Sequence, residues 1–194
     1  MALFMIFLGV LLRIATRFHD WAPIAPLVKY LPHIPNFAPI AAIALFGGVY
    51  LNKKYALIVP IAAMLIADYF IGFYNPYILV SVYGSFLLIG LIGLWLRNHK
   101  TLPNVIGGTL AGSILFFIFT NFAMWVIPHS IYPHTLQGIT NCYVLALPFF
   151  RNTIAGDLFY VGTFFGLMEL SILLARNIAS KKSVSKLAVK QHVV

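Results

Sequence analysis

The chain has 194 residues, enough for one domain, and 61% of them are hydrophobic while only 9% are charged. Soluble domains carry roughly a quarter charged residues, so this composition excludes a water-exposed globule and reads as an integral membrane protein. The formal net charge of +9 would suggest nucleic acid in a soluble protein, but the clustered basic residues have no interleaved aromatic platform for bases, which argues against that partner.

Apolar runs separated by polar or Pro-rich breaks predict an all-α bundle of six transmembrane helices over roughly 2–16, 37–51, 55–73, 77–96, 103–127 and 154–175. A bilayer core needs about 20 helical residues, so the last four qualify and the first two are short. The opening stretch MALFMIFLGVLLRIATRF has the apolar length of a signal-peptide core without preceding positive charges, so it reads as a retained helix. Pro39 falls in the first turn of the second run, where its missing N–H does no harm. That run, FAPIAAIALFGG, is dense in small residues, and Ala38, Ala41, Ala42, Gly47 and Gly48 form the patch expected to meet a partner helix. Small residues also recur at four-residue spacing in later runs, as Gly108 and Gly112 or Gly162 and Gly166, where they favour close packing within the bundle.

With six crossings, one side receives Lys53, Lys54, Arg97, Lys100 and the basic tail, and the other receives Arg13, Arg17, Lys29 and Arg151. Cytoplasmic loops are enriched in Lys and Arg, so both termini are expected in the cytoplasm. Arg13 and Arg17 pull the other way, and the alternative is five crossings with an interfacial first segment. Residues 1–178 form the expected transmembrane domain and 179–194 a basic cytoplasmic tail that meets anionic lipid. The expected location is the cell inner (plasma) membrane, multi-pass.

The outer connections hold most of the polar and aromatic chemistry. They are the 17–36 segment, FYNPY, and the stretch HSIYPHTLQGITNCYVLALPFFRNT. A small-ligand pocket combines an apolar wall with a few placed polar groups. The candidate substrate-binding set is therefore His33, Asn36, Asp68, Tyr74, Asn75, Asn121, Tyr132, His134, Gln137, Asn141, Tyr143, Arg151, Asn152 and Asp157. Ionisable groups at membrane depth need partners, so Arg13, Asp68, Arg151 and Asp157 are candidates for ion pairs as well as for ligand contact. Glu169, deeper in the last run, is expected to hydrogen-bond a neighbouring helix.

His129, His134 and Cys142 fit no compact metal motif, and no metal or cofactor is expected. Cys142 reads as a packed thiol, with ligation of a ligand-borne metal as the alternative. A Gly-rich phosphate loop, a Ser, His and Asp set, and paired carboxylates are all missing from the sequence, so an enzyme is not expected.

The segments PHIPNFAPIAAIALFGGVYL, IVPIAAMLIADYFIGFY and IYPHTLQGITNCYVLALPFFRNTIAGDLFY resemble a family of small bacterial multi-pass membrane proteins. That family is similar in size and span count to the substrate-binding S components of energy-coupling-factor vitamin transporters. The resemblance implies a six-helix bundle with substrate under the outer loops and small-residue helix faces docked on a transmembrane coupling subunit with ATPases. The Ala-spaced docking motif expected in the first helix of S components is absent here, and the Ala-rich face comes in the second span. The expected function is capture or uptake of a small organic, vitamin-like nutrient, and the alternative is a non-transporting interaction or scaffold protein.

Overall fold

The computed structural model describes residues 1–17, 39–73 and 75–191. They form six helices, α1 (Ala2–Arg17), α2 (Ile40–Tyr50), α3 (Ile58–Ile71), α4 (Pro76–Leu96), α5 (Leu102–Val126) and α6 (Leu136–Gln191), and no strand occurs among the described residues. The fold class is thus all-α with the expected number of helices. Only three, α4, α5 and the 136–180 part of α6, are long and apolar enough to cross a membrane. With 16, 11 and 14 residues, α1, α2 and α3 fall short of the roughly 20 that a full crossing takes. Six full-length spans is therefore corrected to three, packed with three shorter apolar helices.

Local chemistry sets most of the boundaries. The Asn75 side chain accepts the Tyr77 N–H and Pro76 occupies the first turn, so α4 starts there. Thr101 and Pro103 open α5 in the same way. Gly72 ends α3 at a φ of 103°, a conformation that costs glycine nothing.

The sixth helix departs most from expectation. It begins at Leu136, not near 154, and runs 56 residues through Pro148 and into the basic tail. The polar stretch read as an outer loop is mostly helix, leaving only 127–135 as the connection, and the helix continues across 178/179 to Gln191. Thr135 explains the start, because its hydroxyl accepts the Gly138 N–H as a helix N-cap does. Pro148 deletes one backbone donor, a loss that the turns on either side tolerate in a long helix packed on a neighbour.

The centre of the bundle is α2, which packs on all five other helices. Its sequence is apolar on every side, which suits a helix with no solvent-facing stripe. Ala41 to Phe46 and Val49 are all buried. A Cβ added at Gly48 would lie 2.5 Å from the Gly90 carbonyl oxygen and 2.7 Å from the Gly93 Cα, so only glycine permits this approach of α2 to α4. Gly47 faces Pro60 of α3 in the same way. Ala41, Ala42, Gly47 and Gly48, expected at a partner surface, are thus covered from within the chain, and Ala38 lies outside the described residues.

The first helix packs into the bundle. Met5, Ile6 and Val10 are buried, and Gly9 lies against Ile43 and Phe164. Outward faces carry large apolar residues such as Leu65, Ile66, Phe70, Leu91, Ile118 and Leu170, an exterior far more apolar than a soluble monomer presents. One end of the bundle gathers Lys53, Lys54, Arg97 and Lys100 around the last turn of α2 and is called the basic end below.

Candidate functional site

A helix of 11 residues held inside a bundle leaves orphan N–H and C=O groups that water cannot reach. Other helices satisfy both ends of α2. At its start the Asp157 carboxylate of α6 stands beside the Ala41 backbone N–H, and the Ser113 hydroxyl of α5 donates to Asp157 Oδ2 at 2.7 Å. At its finish the Arg97 guanidinium donates to the Gly48 oxygen at 2.6 Å through Nη2 and 3.2 Å through Nε, and also to the Leu51 oxygen. An acid at the N-terminus and a base at the C-terminus match the helix dipole.

Around the N-terminus of α2 the described helices α4, α5 and α6 stand apart from one another. A cavity of about 330 Å³ lies there, with Ala41 as its floor. Ile78 and Val82 of α4 form one wall, Phe116, Phe117, Thr120, Asn121 and Met124 of α5 the second, and Ala146, Phe149, Phe150, Thr153 and Asp157 of α6 the third. Phe117 and Phe150 stack at 4.3 Å between ring centres. Thr120, Asn121 and Thr153 donate to the carbonyls of Phe116, Phe117 and Phe149 in their own helices. The two threonine hydroxyl donors are thereby used, Asn121 keeps one of its two amide N–H donors, and all three side-chain oxygens retain acceptor capacity. The volume is near the lower bound of about 300 Å³ for small-molecule pockets, and the mostly aromatic wall with a few fixed polar atoms is their usual make-up.

A second cavity of about 410 Å³ lies at the other end of α2, between α5 and α6 toward the basic end. Tyr50, Lys100 and Glu169 supply its charged and aromatic part, and Val105, Ile106, Leu158, Val161 and Phe165 its apolar part. Both the Tyr50 hydroxyl, at 2.6 Å, and Lys100 Nζ, at 2.5 Å, donate to Glu169 Oε1, and the ammonium stands 4.9 Å from the Tyr50 ring centre. Glu169 thus makes the interhelical hydrogen bond expected of it.

Of the residues singled out in the sequence, the first cavity brings together Asn121 and Asp157. The others lie elsewhere or do different work. Asp68 accepts from Arg13 at 2.7 Å and from the Tyr83 hydroxyl at 2.8 Å, a buried ion pair joining α1, α3 and α4. Asn75 caps α4. Asn141 accepts from the Gln137 amide at 3.1 Å on an exposed face, and the His134 ring meets Trp125 edge-on near the same end. Tyr132 is half-buried in the 127–135 connection, where its backbone N–H donates to Ser130 Oγ. The Tyr143 hydroxyl donates to the Ile118 oxygen, and Cys142 is buried with its thiol against the Asn121 oxygen. Arg151 is on the exposed side of α6 and Asn152 is half-buried; neither lines the cavity. His33, Asn36 and Tyr74 lie outside the described residues. No group of three metal-ligating side chains occurs among the described residues.

The cavity is walled by helices where the sequence suggested loops, and the residues missed are Phe116, Phe117, Thr120, Met124, Phe149, Phe150 and Thr153. A signal was available in FFIFTN and FFRNT, where each Phe pair is followed one turn later by Thr or Asn. The i, i+4 spacing of Phe116 with Thr120, Phe117 with Asn121 and Phe149 with Thr153 puts ring and polar group on one face.

Over residues 1–180 the chain matches the model of a family of unknown function, DUF6580, and it belongs to that family. No curated protein and no solved structure matches it.

Proposed function

For a member of a family of unknown function, the reading has to come from the chain's own geometry, and we propose that this protein captures a small organic molecule within the plasma membrane. It does so as the substrate-binding subunit of a larger uptake system or as a solitary transporter. The single observation that supports this most is the cavity at the tip of α2, placed at a helix terminus between three helices and walled by four phenyl rings with few polar atoms. A bundle that needed only stability would close this space, since an apolar void costs packing energy.

The excess of Lys and Arg orients the protein with the basic end in the cytoplasm, which puts the cavity in the outer half of the bundle. Capture then proceeds from outside, with Asn121 and Asp157 fixing the ligand's orientation and the phenyl rings holding its apolar body. The chain carries no nucleotide-binding motif, so energy comes from a gradient or from a coupling subunit with ATPases, the arrangement that the resemblance to S components supports. The helical extension of α6 with Lys181, Lys182, Lys186 and Lys190 meets anionic lipid at the inner surface.

Thermal unfolding of the purified protein against a panel of vitamins, nucleosides, amino acids and amines tests the reading. A true ligand at a hundredfold excess over its Kd stabilises by about 2.7 kcal/mol. Ala146→Trp, which fills the cavity from α6, should remove that shift while the protein stays folded. The reading is overturned if no compound stabilises the protein and nothing co-purifies with it.

A further inference from the structure

We infer that the cavity at the tip of α2 takes a small organic cation, a protonated amine or quaternary ammonium on an apolar body. The inference rests on the capture reading above and names its ligand class.

Among the described residues lining this cavity Asp157 is the sole charged side chain, with no described Lys, Arg or His beside it. Its partners, the Ser113 hydroxyl and the Ala41 N–H, are neutral donors. A carboxylate has about four acceptor positions on its two oxygens, so these two bonds leave room for a ligand N–H. The other acidic side chain buried in the bundle, Asp68, already holds a cation, Arg13. Arg151, the basic residue closest in sequence to the cavity wall, is on the exposed side of α6.

The rest of the wall has the same polarity. Phe116, Phe117, Phe149 and Phe150 line it, and aromatic rings attract ammonium groups more strongly once water is excluded. Thr120 and Thr153 have used their hydroxyl donors on their own helices and offer oxygens, and Asn121 offers its amide oxygen beside one remaining N–H. An anion would find its natural anchor, the N-terminus of α2, already occupied by Asp157. A cation satisfies the acid, the rings and the amide oxygen together.

Three probes that share a phenethyl group and differ in charge test this on the wild-type protein: phenethylamine, phenethyl alcohol and 3-phenylpropanoate, compared by thermal stabilisation and by equilibrium binding. The amine should stabilise the protein and the alcohol and carboxylate should not. Asp157→Asn should weaken amine binding by about tenfold or more, the usual worth of a hydrogen bond to a charged group, while Glu169→Gln at the second cavity leaves it unchanged. Equal binding of the alcohol, stronger binding of the carboxylate, or undiminished amine binding by a folded Asp157→Asn protein each overturns the cation assignment and leaves capture standing. If none of the three binds, the charge of whichever panel compound does bind decides the assignment. If no compound of any charge binds, the capture reading itself fails. Should Asp157→Asn not fold, the ranking of the three probes on the unmodified protein decides alone.

Discussion

Asp68 and Asp157 are both buried acids in an apolar bundle, and the company they keep separates them. Asp68 sits between the guanidinium of Arg13 and the hydroxyl of Tyr83, so its charge is matched and its geometry joins three helices. Among the described residues Asp157 has only a hydroxyl and a backbone N–H as partners, and it borders a cavity. Burial alone therefore does not mark a functional acid in such a protein. What marks it is an acid whose protein partners are all neutral and which borders open space.

Substitutions can break or sharpen this contrast. The largest loss is expected from Arg13→Ala, because removing one member of a buried pair strands the other and typically costs about 3–5 kcal/mol; thermal unfolding in detergent should show it, with ligand binding by any surviving folded fraction unchanged. Gly93→Val comes next. It drives a side chain into the Leu45 carbonyl, 2.5 Å from where the Cβ would stand, and overpacking of this kind costs about 1–3 kcal/mol. Since it displaces α2, the floor of the cavity, binding and stability should fall together. Asp157→Asn should cost less stability, about 1 kcal/mol as for a lost helix cap, yet remove most ligand binding, the reverse of the Arg13 pattern. The smallest effect belongs to Glu169→Gln. Its pair with Lys100 is partly open to solvent, and exposed pairs contribute about 0–1 kcal/mol. Equal losses of stability and binding in the Arg13 and Asp157 variants would erase the contrast.

Much of the frame was legible in the residues. The starts of α4 and α5 are written in Asn75–Pro76 and in Thr101 with Pro103, because caps and first-turn prolines act over three or four residues. Helix α6 was not legible in the same way, since Pro148 and the polar residues around it resemble a break unless α5 is known to run alongside. The small residues of α2 announced a close helix contact correctly, but identity of the partner depended on where α4 lies, and Gly90 and Gly93 are some forty residues away in the chain. Half of the site, Asn121 and Asp157, came from their polarity at apolar depth. The aromatic half did not, because in a chain with 17 Phe residues a phenyl ring carries no positional information until its neighbours are fixed.

The length of α2 also sets an electrical depth. Eleven residues span about 16 Å, roughly half of a 30 Å hydrocarbon core, so in the proposed orientation, with the basic end at the inner surface, a charge resting at the tip of α2 would have crossed about half of the transmembrane voltage. A full crossing at 100 mV is worth about 2.3 kcal/mol per charge, which makes the half-way share about 1 kcal/mol. A cation entering from outside would be drawn to Asp157 more firmly in an energised cell than in a depolarised one. Occupancy of the site would thus follow membrane potential without any voltage-sensing residue in the chain.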